Sequence, residues 1–492
     1  MKLACVLASV AALLGACAAP LEHAVPADAA AHAAVGAPAA VAAPADALQA
    51  RVDQLCAAWN KPDSPGCVVG VVRDGDLVFA RGYGMANLEH SVPISAATVF
   101  DLGSTSKQFT AACIGLLAQQ GKLSADDDVR RWIPELRDYG APITVRHLLH
   151  HTSGLRDYLD LFLLAGRKSE DWTTRAQALA MIARQKQLNF QPGERHLYSN
   201  SGYFLLAQIV ERASGTSMAK FAEREIFAPL GMRDTHVHED HRLVVPARAS
   251  GYSPRGEGGF GIDMSDFEQT GDGAVMTTVV DLAKWERNFT TRQVGGERLQ
   301  RFLHEHGRLN DGSELPYCCG LVVDTFRGLE RVSHGGAWAG YRAQLMRFPQ
   351  HKLSVICMSN LATIDPSSIC SEIANFVLAE HMSAEPRPRE RTQPMARGAP
   401  PPAPTAEAML GYPGVYESKE LEVRAEIALR GGALFLGEVG LADYELPVLA
   451  PDRFGNPGFT VEFARDAAGA ITGFHCGTDR ARNLFFAKLW RE

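Results

Sequence analysis

The chain has 492 residues, of which 46% are hydrophobic and 21% charged. That is a globular balance, and the length allows two or three domains. A formal net charge of −7, spread without a long basic run, excludes nucleic acid and an anionic membrane surface as expected partners.

In chain order, Lys2 and the apolar residues 3–14 read as the n-region and h-region of a secretory signal. Leu14-Gly15-Ala16-Cys17 then resembles a lipobox, small residues ahead of a cysteine that takes a lipid. Residues 1–17 are therefore expected to be a lipoprotein signal, with cleavage after Ala18 or Ala19 as the alternative. Ala18 after the cysteine points to an outer-membrane anchor facing the periplasm; without lipid the chain would be periplasmic or secreted. No later apolar stretch reaches ~18 residues, so the lipid is the only membrane attachment expected. Residues 18–50, rich in Ala and Pro, read as a flexible tether.

Export permits disulfides. Beyond Cys5 and Cys17 the cysteines are Cys56, Cys67, Cys113, Cys318, Cys319, Cys357, Cys370 and Cys476. Cys56 with Cys67, or Cys357 with Cys370, are possible pairs, and the sequence does not settle the connectivity. Cys113 falls on a core helix and reads as a small buried hydrophobe.

Residues 51–384 have the mixed composition of a single large domain. Cys67-Val68-Val69-Gly70-Val71-Val72, then Asp74-Gly75, then Leu77-Val78-Phe79 predict a hairpin. After Asp101-Leu102-Gly103 a helix follows, with Phe109, Cys113, Leu116 and Leu117 on one face and Gly121 at its end. Residues 385–405 form a Pro-rich linker. In residues 406–492, Val423, Ala425 and Ile427 alternate with polar neighbours, and so do Phe459, Val461 and Phe463. That period predicts a small antiparallel β-domain.

Three motifs carry chemistry. Ser104-Thr105-Ser106-Lys107 sets an amine one helical turn from a hydroxyl, which needs a base to become a nucleophile. Alone this is weak, because a serine there also suits a helix cap; Ser106 has no lysine three residues on. Tyr198-Ser199-Asn200 adds a phenol whose proton affinity a neighbouring ammonium would lower, and an amide able to hold Lys107 and substrate. Ser333-His334-Gly335-Gly336-Ala337 follows as an edge-strand candidate whose glycines admit close backbone approach and whose N–H can face an oxyanion.

In this order the three motifs resemble those of the penicillin-recognising serine hydrolases, on the branch of class C β-lactamases, D-Ala-D-Ala carboxypeptidases, D-aminopeptidases and related esterases. Leu148-Leu149-His150-His151-Thr152-Ser153-Gly154-Leu155, Pro229-Leu230-Gly231-Met232, and Gly271-Asp272-Gly273 agree with that family. The resemblance implies an α+β fold: an antiparallel sheet flanked by helices, a helical subdomain, and an appended barrel-like β-domain. It implies an acyl-enzyme on Ser104, with Lys107 and Tyr198 sharing the base work as a coupled pair. Asn200, His334 and Gly336 would hold substrate, His334 also bonding Tyr198, with the N–H groups of Ser104 and Ala337 as oxyanion hole. No cofactor and no metal is implied; the partner is a small-molecule or peptide substrate. One departure stands out: where many relatives carry Lys-Thr-Gly, this chain has His334-Gly335-Gly336, and histidine is mostly neutral at pH 7. That favours D-aminopeptidases, D-peptidases and esterases over strong β-lactamase activity.

Three rival readings remain. A carboxylesterase would use the same residues. A zinc hydrolase is suggested by His236-Val237-His238-Glu239-Asp240-His241, which resembles a metallo-β-lactamase signature but follows a turn rather than a buried strand. A non-catalytic cell-wall-binding module is argued against by the intact motifs. His147, His150 and His151 lack a His-Glu-x-x-His pattern and read as structural.

Overall fold

The computed structural model describes residues 45–168, 171–383, 404–438, 444–456 and 458–489. The signal, Cys17, residues 18–44 of the tether and residues 385–403 of the linker lie outside the described residues. Among those described, no helix is long and apolar enough to cross a membrane.

One boundary is corrected. The expected tether runs to residue 50, yet helix α1 already spans Ala45–Cys56. Leu48, Val52 and Cys56 recur every four residues and are buried, so the helix has an apolar stripe to dock. Alanine, read as tether composition, is also the best helix former.

The hairpin forms as expected from β1 (Cys67–Arg73) and β2 (Asp76–Tyr83). Asp74 and Gly75 both have positive φ, +52° and +88°, as a two-residue primed turn demands. Far along the chain, β3 (Val322–Phe326), β4 (Leu329–Trp338), β5 (Tyr341–Phe348) and β6 (Leu353–Ser359) complete one antiparallel sheet. Its order is β3-β4-β5-β6-β1-β2.

Four further helices frame the sheet and the site: α2 (Lys107–Gln119), α3 (Asn200–Ser214), α4 (Val279–Thr291) and α5 (Pro366–Val377). Val68, Val72, Ile356 and Met358 belong to the core shared with α2, α3 and α4, while Val69, Val71, Val355 and Cys357 pack with α1 and α5. Coverage of both faces explains the unbroken apolar run in β1. Each large aliphatic or aromatic side chain buried in this way contributes about 1.5–3 kcal/mol.

The cysteines of the described residues are all unbridged and buried. The sulfurs of Cys56 and Cys67 lie 3.8 Å apart. Cys370 instead directs its thiol at the carbonyls of Gln344 and Val355, at 3.9 and 3.8 Å.

Residues 414–489 form a nine-stranded antiparallel, barrel-like sheet. Ala425 and Ile427 are buried between exposed Arg424 and Glu426, and Phe459, Val461 and Phe463 point into the same core. The sheet docks on the first domain. Arg156, with a fully buried side chain, pairs with Glu420 at 2.9 Å and also reaches Gln185 and the Asn483 carbonyl. Removing the acid from a buried pair leaves an uncompensated charge. Glu420→Ala is therefore expected to lower the unfolding free energy by about 3–5 kcal/mol, read as a shift in urea midpoint. Glu420→Gln, which keeps an acceptor, should cost less.

Candidate active site

Ser104 lies in a tight turn, Gly103–Ser106, that runs directly into α2. A simple capping role is not what it has. Asp101 Oδ1 takes the Gly103 N–H at 2.7 Å, and the Ser104 hydroxyl is engaged by Lys107. Ser106, the rival nucleophile, is fully buried and its Oγ accepts the Val275 N–H at 3.1 Å.

Lys107 has no exposure to solvent. Its Nζ donates to Ser104 Oγ at 3.0 Å, Asn200 Oδ1 at 2.9 Å and the Asp272 carbonyl at 2.6 Å. An ammonium has three N–H donors and no acceptor, and each of these oxygens can take one. Two of them are carbonyl oxygens, which can only accept. A deprotonated amine therefore keeps its two hydrogens on the carbonyls and turns its lone pair to the Ser104 hydroxyl. This is the geometry of a general base poised on a nucleophile.

Asn200 opens α3, and its N–H donates to Asp157 Oδ2 at 2.5 Å. Tyr198, two residues earlier, is brought to the same place: Lys107 Nζ lies 4.8 Å from its ring centroid. The His151 ring packs on it at 4.2 Å between centroids. His151, read from sequence as structural, thus lines the site, with backbone φ of +57°. Its Nδ1 accepts the Ser199 N–H at 3.1 Å.

β4 carries His334, Gly336 and Ala337 past the Ser104 turn. Thr105 Oγ1 donates to the His334 carbonyl at 3.3 Å. Gly103 has φ of +49°, and a Cβ there would come within 2.8 Å of the Ala337 nitrogen. A Cβ on Gly336 would meet the Leu102 oxygen at 1.9 Å. Only glycines allow this backbone-to-backbone approach. It sets the Ala337 nitrogen beside the nucleophile's turn.

The expected bond between His334 and Tyr198 is corrected. His334 Nε2 pairs with Tyr317 OH at 3.1 Å and Nδ1 faces the Gly335 carbonyl at 2.6 Å, while the Tyr198 ring centroid is 6.3 Å from that of His334. A nitrogen against a carbonyl must carry the proton, so Nδ1 donates and Nε2 accepts the tyrosine hydroxyl. Burial, with Lys107 adding to it, pushes the His334 pKa down to about 4. The ring is neutral at pH 7, and β4 places no positive charge on the substrate edge.

Sequence reasoning missed Asp157, Tyr158 and Tyr317, and gave Asp272 only as part of a flanking match. Asp272 is buried, accepts from Tyr158 OH at 2.9 Å, and has its pKa raised to about 6 by burial against the opposing pull of Lys107. The Gly-Asp-Gly setting was its one signal; a lone aspartate after α-helix or loop has none. The histidine-rich segment contributes none of the contacts given above. His236 and His238 face each other at 3.4 Å, and the acid-and-imidazole group that gathers there is Asp240, His241 and Glu268. The zinc-like pattern is thus divided between two places.

The family model described as Beta-lactamase matches residues 45–369. The chain is 33% identical over 306 residues to a penicillin-binding protein of Bacillus subtilis, covering 58% of this chain and 66% of that one. It is 31% identical over 318 residues to a D-aminopeptidase of Gluconobacter oxydans, covering 64% and 60%. The chain thus spans under two thirds of the length of these relatives. Among solved structures, an octameric penicillin-binding protein homologue from Pyrococcus abyssi aligns with a TM-score of 0.57 at 23% identity, over 90% of this chain and 99% of that one. A D-amino acid amidase from Ochrobactrum anthropi aligns at 0.56 and 22%, over 68% and 99%. These structures share the fold. With the family model covering most of the chain and the Ser104–Lys107–Asn200 cluster assembled, the chain belongs to the Beta-lactamase family.

Proposed function

We propose that this is an exported serine hydrolase that cleaves an amide or ester through an acyl-enzyme on Ser104. The observation that carries this is the engagement of buried Lys107 by two carbonyl oxygens and the Ser104 hydroxyl, which lets a deprotonated amine act on that hydroxyl. Ser104 Oγ attacks the carbonyl carbon and its proton passes to the Lys107–Tyr198 pair. The N–H groups of Ser104 and Ala337 receive the developing oxyanion. Collapse expels the amine or alcohol, which leaves with that proton from Tyr198, and water then cleaves the acyl-serine by the same route in reverse.

Substrates of D-amino-acid type, as amides, peptides or esters, are supported by relatives whose names are D-aminopeptidase and D-amino acid amidase. Neutral His334 supports these over penicillins. Export is supported by Lys2, the apolar run that follows and Cys17.

A fluorophosphonate should label the protein, and Ser104→Ala should abolish the label. Lys107→Met is expected to lower kcat by about 10²–10⁴-fold, the usual worth of a positioned base. Absence of label in the wild type would favour the binding module. Rates on D-amino acid amides, D-Ala-D-Ala peptides, p-nitrophenyl esters and nitrocefin should rank the first group above nitrocefin.

Buried histidines should cost stability in acid, against an opposite trend from Asp101, Asp160 and Asp272, whose raised pKa values add stability as pH falls. His150, His196 and His334 are each held near pKa 4 by burial, against an ordinary 6.5. The unfolded chain therefore takes up protons first, and stability present above pH 6.5 is lost as pH falls towards 4. Between pH 7 and 4.5 the urea midpoint of the wild type should fall relative to that of His334→Gln, which lacks one of these histidines.

A further inference from the structure

The C-terminal sheet puts a cation into the active site. Arg480 sits on the loop between the strands Ile471–Gly477 and Leu484–Leu489. That loop is fixed from both sides. Within it, Thr478 N–H bonds the Ala481 carbonyl at 2.9 Å, and Ala481 N–H returns to Thr478 Oγ1 at 3.0 Å. Across to the first domain, the Arg480 carbonyl accepts from Asp157 N–H at 3.0 Å and from Asn189 Nδ2 at 2.8 Å. Thr478 Oγ1 donates to Asp160 at 2.5 Å, and Asn189 Oδ1 takes the Arg482 N–H at 3.0 Å.

The side chain this loop presents is 7% exposed, and its guanidinium carbon stands 5.1 Å from the centroid of the Tyr198 ring. Among the described residues no hydrogen bond or ion pair engages that guanidinium. The nearby acid, Asp160, is already taken up by Thr478 and by the backbone N–H of Arg480 itself. A guanidinium resting on an aromatic face gains something from the ring, and its planar fork of five donors, with no acceptor among the described residues, keeps its nitrogens in reach of solvent and of a ligand. Such a group is expected where a ligand brings the missing anion.

We propose that Arg480 is a specificity-determining residue of the active site, supplied by the second domain, whose partner is a carboxylate on the leaving-group side of the substrate. This rests on the serine-hydrolase reading above. In that reading Tyr198 hands its proton to the leaving group, so a cation over its ring faces that side of the scissile bond. The guanidinium fork matches a carboxylate in two parallel bonds. Its charge lies over Tyr198, apart from the strand on which neutral His334 provides none. A substrate ending in a free carboxylate beyond the cleaved bond is thereby preferred to its amide.

Two thioesters of N-acetyl-D-alanine, with thioglycolate or thioglycolamide as leaving group, differ only in that charge. Thiol release by the full chain is expected to show higher kcat/KM for the thioglycolate. Arg480→Gln should reduce this preference about 10- to 100-fold, what loss of a charge-assisted hydrogen bond entails. Arg480→Lys, which keeps the charge and loses the fork, should recover part of it. A wild-type protein that prefers the thioglycolamide, or has no preference, overturns the proposal without any variant. So does Arg480→Gln slowing both thioesters equally, which would assign the residue to packing around Tyr198. Ser104→Ala that still releases thiol would instead sink the serine-hydrolase reading, whatever Arg480 does.

Discussion

A lysine ammonium sealed from water is the constraint around which the first domain is arranged. Transfer of such a charge from solvent costs several kcal/mol unless every donor finds an acceptor. Lys107 finds its three acceptors 3, 93 and 165 residues away. The turn before α2, the first residue of α3 and the loop before α4 must therefore arrive together, or the amine is left unsatisfied. The same convergence sets the Ser104 hydroxyl against Lys107, so that the amine, once deprotonated, can take its proton.

Around this cation the other charges are graded. Asp272, its pKa raised to about 6 by burial against the pull of Lys107, sits behind the carbonyl that Lys107 bonds. Asp157 acts through hydrogen bonds: one carboxylate oxygen takes the Asn200 N–H, the other the Leu159 N–H. Its own N–H holds the Arg480 carbonyl. One side chain thus fixes both the start of α3 and the loop from the second domain. His334 and His151 are kept neutral by burial and pack as rings about Tyr198 and Tyr317. The site is lined by neutral aromatic faces with two cations on one phenol ring.

What could be read from sequence was local. Asp74-Gly75 encodes its turn in two residues, the period-two runs at 423–427 and 459–463 encode a half-buried sheet, and Ser104 with Lys107 share a helical turn. Tyr198 and Asn200 became legible only through family order. The residues that went unread act through distant partners. Asp157 bonds residues 43 positions on and more, and Tyr317 meets His334 through a loop with no period of its own. His334 was paired with the wrong tyrosine because spacing along the chain says nothing about which of two phenols faces a ring nitrogen. The start of α1 was missed for a different reason: alanine favours a helix and a linker alike, and only the burial of Leu48 and Val52 decides between them.

The linker composition permitted the C-terminal sheet to lie anywhere; buried charge on the first domain fixes where it sits. Arg156 has no solvent at all, and of its partners Glu420 and the Asn483 carbonyl both come from the second domain. Asp160 is likewise buried, its pKa lifted to about 7 by desolvation and Asp157, and it is met by Thr478 and the Arg480 backbone. A first domain standing alone would expose an arginine and an acid that its own residues only partly satisfy. Docking the sheet satisfies both, and the same stretch of chain carries Arg480 to Tyr198. The second domain is therefore a wall of the active site, held there by first-domain charges that need it as much as the site does.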